Sequence, residues 1–198
     1  MLSVLTVACT CDNSQDKQNS TCSIFNKTQE HLKFKGIPID GNYRVFAEKL
    51  LHQGFEIIGE DENNIMSVSG DFAGFKDCLI LFSPISKDNN TICSVSVNIL
   101  PQRYEDWKSV YDTYNFIKTE LIKKYGKPTY CEEKFNVSCS SNKSKYDALM
   151  KNEGTFITVF ECKNGSICLS ITETAGVNIT YGDKINNELC RSIKSKDL

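Results

Sequence analysis

The sequence predicts an α+β protein, an antiparallel sheet of about eight strands with two main helices on one face. Short stretches of alternating apolar and polar residues recur between residues 31 and 181, separated by Gly, Asn and Asp turns. Two longer stretches show helical spacing, and each is closed by a glycine, Gly54 and Gly126. About four strands follow each helix with no further helix between them, the order of hairpin-linked antiparallel strands rather than of parallel crossovers.

The chain opens on Leu2-Ser3-Val4-Leu5-Thr6-Val7-Ala8-Cys9, an apolar run ending in a small residue and a cysteine. That is the pattern of a truncated bacterial lipoprotein signal over 1–9, with Cys9 as the lipidated residue. Thr6 stands where a Leu is usual, and no Lys or Arg precedes the run. Residues 10–30 are polar and without period, and read as a flexible tether.

A single domain is expected over 31–198. Leu32 and Phe34 alternate with polar residues as in a half-buried strand, bent by Gly36 and Pro38. Asp40 is expected to cap a helix that places Tyr43, Phe46, Ala47 and Leu50 on one face. Strands are expected at 55–58, 65–70, 76–83 and 91–100, with an acidic turn at 59–64 and a hairpin turn at 87–90. After Pro101 comes the clearest helix, with Trp107, Val110 or Tyr111, Tyr114, Ile117, Leu121 and Tyr125 along one side and Gly126 and Pro128 as its stop. Strands are expected again at 129–135, 155–162, 166–172 and 177–181, with Asn164-Gly165 in a tight turn. Residues 136–154 read as a polar insertion, and 183–198 as a short helix holding Ile185, Leu189 and Ile193. The halves 31–100 and 101–182 thus share one order, a helix and then four strands, which suggests a pseudo-repeat of pattern rather than of residues.

Apolar residues at 40% and charged residues at 24% are globular values, and a net charge of −2 leaves no basic field for nucleic acid. No run is long enough for a membrane helix, so the expected membrane attachment is the lipid on Cys9. Ten cysteines are many for a chain without a CxxC pair or a Cys/His cluster. Export favours disulfides among some of them. Cys78, Cys93, Cys162 and Cys168 fall in apolar strands, where a free thiol acts as a small hydrophobe.

Three segments carry a resemblance: Phe34-Lys35-Gly36-Ile37-Pro38-Ile39-Asp40-Gly41, Lys123-Lys124-Tyr125-Gly126-Lys127-Pro128, and Asn164-Gly165-Ser166-Ile167 with Ile179-Thr180-Tyr181-Gly182-Asp183-Lys184. Together they resemble uncharacterised lipoproteins of gut Bacteroides-type bacteria over most of residues 31–190. The resemblance implies a periplasmic or outer-membrane lipoprotein of the cell envelope and no particular activity. In architecture alone, the doubled order is similar to beta-lactamase-inhibitory-protein-like tandem repeats and to small outer-membrane assembly lipoproteins. A shared fold does not carry function.

No nucleophile elbow, phosphate loop, dinucleotide fingerprint or zinc-protease motif occurs, so no catalytic, cofactor-binding or metal-binding residue is expected. Of the two histidines, His31 sits at the tether junction, and His52 in the last turn of the first helix complements its dipole. The acidic turn Glu60-Asp61-Glu62-Asn63-Asn64 lacks the spacing of a calcium loop and reads as a solvated hairpin tip. Tyr104 and Trp107, beside Arg103 at the start of the long helix, are the candidate partner-binding residues, because aromatic side chains at a rim serve recognition. The expected function is non-enzymatic binding of a protein or glycan. The alternatives are a structural part of an envelope complex and a hydrolase using Asp71 and Asp77.

Overall fold

The computed structural model describes residues 30–100 and 106–195. The expected signal, Cys9, the tether, Arg103 and Tyr104 lie outside the described residues.

Lys33–Phe34 (β1) and Ile37–Pro38 (β2) form a small hairpin, followed by helix α1 (Tyr43–Leu51). Strands β3 (Glu56–Glu60), β4 (Met66–Phe72), β5 (Phe75–Ser86) and β6 (Asn89–Ile99) come next. Helix α2 (Trp107–Tyr125) leads to β7 (Tyr130–Phe135) and helix α3 (Asn142–Met150). The chain ends in β8 (Gly154–Cys162), β9 (Gly165–Ile171), β10 (Val177–Asp183) and helix α4 (Lys184–Lys194).

The main sheet has eight strands in the order β3-β4-β5-β6-β10-β9-β8-β7, and every pair in it is antiparallel. Each group of four therefore runs from an edge to the middle. The groups meet where β6 pairs with β10, with Val97 opposite Ile179. The fold is α+β, as the alternation and hairpin order predict. The α3 helix has no counterpart in the first half, nor the β1–β2 hairpin in the second, so the common order does not by itself establish a repeat.

One face of the sheet is apolar and buried. Val68, Ile80, Val97, Ile179 and Leu169 lie opposite one another across five strands, and Thr158 closes the row. Helices α1 and α2 cover this face. Phe46 of α1 meets Phe82 edge-on at 5.3 Å, and Tyr114 of α2 packs against Phe156. The Tyr114 hydroxyl lies 2.6 Å from Thr158 Oγ1, so two polar groups sunk in the core satisfy each other.

Local chemistry explains where the structure departs from the sequence reading. Helix α1 is capped by Asn42, whose side chain accepts from Arg44 N at 2.8 Å, and not by Asp40. The expected first strand is a hairpin, turned at Lys35 and Gly36, which both have positive φ. Residues 136–154 are not merely an insertion. Ser141 and Ser144 form a reciprocal capping box that starts α3, which buries Tyr146, Ala148 and Leu149. Serine replaces the usual Glu or Gln of that box, so the signal is weak in the sequence. The tight turn after β8 is Lys163-Asn164, and Gly165 is the first residue of β9. A Cβ on Gly165 would stand 2.1 Å from the Gly182 carbonyl oxygen, so glycine is there for a close strand approach.

Candidate functional site

Side chains alternate along each strand, so every second residue faces away from α1 and α2. The pairing register assembles those residues into rows. Leu81, Ser96, Thr180, Cys168, Val159 and Tyr130 lie successively opposite one another across the sheet. In the next row stand Ser69, Leu79, Asn98, Asn178, Ser170, Ile157 and Glu132.

The centre of this open face is small, polar and uncharged. Asn178 Nδ2 donates to Ser96 Oγ at 2.7 Å and to Asn98 Oδ1 at 2.9 Å. Thr180 Oγ1 donates to Asn178 Oδ1 at 2.9 Å and lies 3.2 Å from Ser96 Oγ. The circuit joins β6 to β10 and fixes the rotamers of all four side chains, so the surface is pre-shaped. Leu79 and Leu81 flank it on one side, Ile157 and Val159 on the other, all half-buried. Tyr130, on the edge strand, is 50% exposed.

Charges sit at the margins. Glu132 is held by Lys134 at 2.7 Å and by the Tyr130 hydroxyl, and these hydrogen bonds keep its carboxyl below the usual range. Burial pushes the Cys168 thiol up, so it remains a protonated, weakly reactive side chain. At one end of the face Asn187 of α4 approaches Gly182, where a Cβ would meet its Nδ2 at 2.9 Å. This surface offers paired donors and acceptors beside aliphatic contact area, which suits recognition rather than proton transfer.

Trp107 is not at an exposed rim. It is 6% exposed, stacks on Tyr111 at 5.1 Å and meets Phe135 and Phe156 at 5.0 and 4.8 Å. The reason is α3, the element the sequence reading lacked. Lys108 N donates to Asn142 Oδ1 at 2.8 Å, and Asn142 Nδ2 donates to Asp106 Oδ1 at 2.7 Å, which ties α3 over the start of α2. Only an edge of the indole reaches a shallow depression shared with Tyr111, Ser141 and Asn142.

Asp71 and Asp77 do line one depression beside Lys35 and Glu56. Asp71 is ion-paired with Lys76, and that hydrogen bond holds its carboxyl below the usual range. A carboxylate so stabilised is a poor general acid. His31 Nδ1 contacts Asp183 Oδ1 at 3.0 Å, and the backbone N–H of His52 caps α1 through the Glu48 and Leu50 carbonyls. In the acidic turn, Asp61 Oδ1 accepts from Asn63 N and Ile65 N, while Glu60 accepts from Tyr43 and Arg44. Among the described residues no group of three or more His, Cys, Asp or Glu is placed to hold a metal ion. Cys78, Cys131, Cys139, Cys162, Cys168 and Cys190 are free thiols.

Spacing along the chain does not by itself reveal the polar circuit. Its trace is there, since Ser94, Ser96 and Asn98 alternate with Val95 and Val97, and Asn178 and Thr180 with Ile179. What is not local is that these two strands lie side by side.

The fold and this site define an α+β protein with an eight-stranded antiparallel sheet, one face under helices and the other presenting a polar, pre-shaped centre. No family model, curated protein or solved structure matches the chain.

Proposed function

We propose that this chain is a non-enzymatic binding module that recognises a protein partner through the open face of its sheet. The observation that carries this reading is the Ser96–Asn98–Asn178–Thr180 circuit, uncharged and flanked by Leu79, Leu81, Ile157 and Val159. Small hydroxyl and amide groups with aliphatic flanks resemble the mixed surface of a protein interface. A glycan site is built on aromatic platforms, whereas Tyr130 is the aromatic of this face among the described residues and stands at its edge.

The module is proposed to work at a bacterial cell envelope, held by a lipid on Cys9. The apolar run before Cys9 supports that address.

Site-specific photo-crosslinking in the producing cell tests the interface. A photoreactive residue at Ser96 or Leu81 is expected to give one discrete adduct, and one at Val45 on exposed α1 none. Adducts from Val45 alone would move the interface to the helices. For the address, Cys9→Ala is expected to release the chain expressed from its full reading frame into the soluble fraction. Retention in the membrane would remove the lipid anchor from the reading.

A further inference from the structure

A second cavity lies on the helix side of the sheet, away from the open face. It is a half-open hollow lined by the β1–β2 hairpin, the β4–β5 turn, α2 and β10, and has a volume of about 240 Å³. Its apolar surface comes from Ile117 and Leu121 of α2, Ile179 of β10, and Phe72. Ile179 and Ile117 are 0% and 2% exposed overall, so they reach the cavity from within the core. Phe72 is fixed by stacking on Phe34 at 5.7 Å, and Phe34 is braced edge-on against Tyr181 at 5.3 Å. The hollow is therefore a built feature of the junction between the two halves of the sheet.

The charges around it are unbalanced. Lys33, Lys35 and Lys124 line the cavity, with Glu120 as the carboxylate among its lining residues. Glu120 is already engaged by Lys123 Nζ at 2.5 Å. The Lys35 ammonium is engaged toward the neighbouring acidic depression: it donates to the Asp71 carbonyl oxygen at 3.0 Å, lies 4.9 Å from the centre of the Phe55 ring and interacts with the Asp71 carboxylate. Lys124 stands 5.1 Å from the centre of the Tyr125 ring. Tyr181 also lines the cavity. Burial, and then the neighbouring Tyr125, push its ionisation upward, so it remains a donor.

We propose that this cavity binds a free, small amphipathic carboxylate, with a short acyl or aromatic body on Ile117, Leu121 and Ile179 and the carboxylate between Lys33 and Lys124. The volume falls below the roughly 300–1,000 Å³ of pockets for drug-sized ligands, which excludes a two-chain lipid. Apolar walls favour the body of such a ligand and charge-assisted hydrogen bonds its head group. The assignment is independent of the open face and of the partner bound there.

Octanoate, octanol and octylammonium are the probes, titrated into the full chain and followed by methyl NMR and thermal shift. Octanoate is expected to saturate, to shift the methyl signals of Ile117, Leu121 and Ile179, and to bind about tenfold or more tightly than octanol, in line with a charge-assisted hydrogen bond. Lys33→Gln combined with Lys124→Gln is expected to weaken octanoate by at least about tenfold while lowering the unliganded melting midpoint only slightly, since both side chains are exposed and Lys124 gives up only its place in the last turn of α2. Equal binding of octanol or octylammonium, unaltered affinity in the lysine variant, or shifts confined to other methyls would overturn the assignment. So would lysine-dependent partitioning onto phosphatidylglycerol vesicles without octanoate binding, which would make these lysines a membrane-facing patch.

Discussion

The imidazole Nδ1 of His31 lies 3.0 Å from Oδ1 of Asp183, although the residues are 152 positions apart in the chain. Asp183 is fully buried, and Leu32 N donates to its Oδ2 at 2.7 Å while Asn186 N donates to Oδ1 at 2.9 Å. One carboxylate thus pins the β1–β2 hairpin to the sheet and caps α4.

Asp183→Ala is expected to cost roughly 2–4 kcal/mol, combining a lost helix cap with a buried backbone N–H left without an acceptor. His31→Ala should cost much less, because its ring is partly exposed. Denaturant unfolding of both variants checks the ranking, and equal costs would mean that Asp183 acts only through the histidine.

Phe46 is 0% exposed and Leu121 7%. Each truncation to alanine is expected to destabilise the protein by roughly 2–5 kcal/mol, with Phe46 toward the upper end. Circular dichroism melts read this directly, and an unshifted midpoint would take either residue out of the core.

Gly165→Ala places a methyl group against the Gly182 carbonyl and must push β9 from β10. The expected cost is roughly 1–3 kcal/mol as overpacking, or more if the pair cannot separate. Gly36→Ala serves as the comparison, a turn glycine with open space around it. A larger loss there than at Gly165 would show that backbone strain, not the close approach, dominates.

Lys118 and Glu133 are ion-paired, with Cys131 Sγ 3.3 Å from Lys118 Nζ. Burial pushes the Glu133 carboxyl up, but the hydrogen bond and charge of Lys118, together with hydrogen bonds from Cys131 and Tyr114, bring it below its ordinary value. Burial likewise pushes Lys118 down, and Glu133 and Cys131 together reverse the direction. The contribution from Glu133 is therefore present above its ordinary pKa, about 4.3, and is lost as pH falls through the depressed folded value. That from Lys118 is present below about 10.4 and is lost as pH rises through the raised folded value. Lys118→Met should cost roughly 1–2 kcal/mol at neutral pH, with the gap narrowing toward about pH 3. Urea titrations at the two pH values test this, and a gap independent of pH would leave packing as its whole cause.

Helix α2 was legible from residue spacing alone, because Val110, Tyr114, Ile117 and Leu121 recur at three or four positions and Gly126 can take the φ of 84° that ends the helix. The hairpin strands were legible for a similar reason, since alternation and turn residues are local properties. Helix α3 escaped notice because its cap is a serine pair and it buries only a few of its residues. Without it, Trp107 reads as a rim residue instead of the hub of an aromatic cluster.

The sequence by itself determined the α+β class, the end of α2 at Gly126 and the two-residue rhythm that divides each strand into an apolar and a polar face. Tertiary structure alone decided that β6 and β10 lie side by side, and with them Ser96, Asn98, Asn178 and Thr180. It also decided that Lys33, Lys124 and Tyr181 surround one hollow. The physical reason is range: spacing and caps act over a few residues, whereas the pairing of distant strands is selected by burial of the whole apolar face at once.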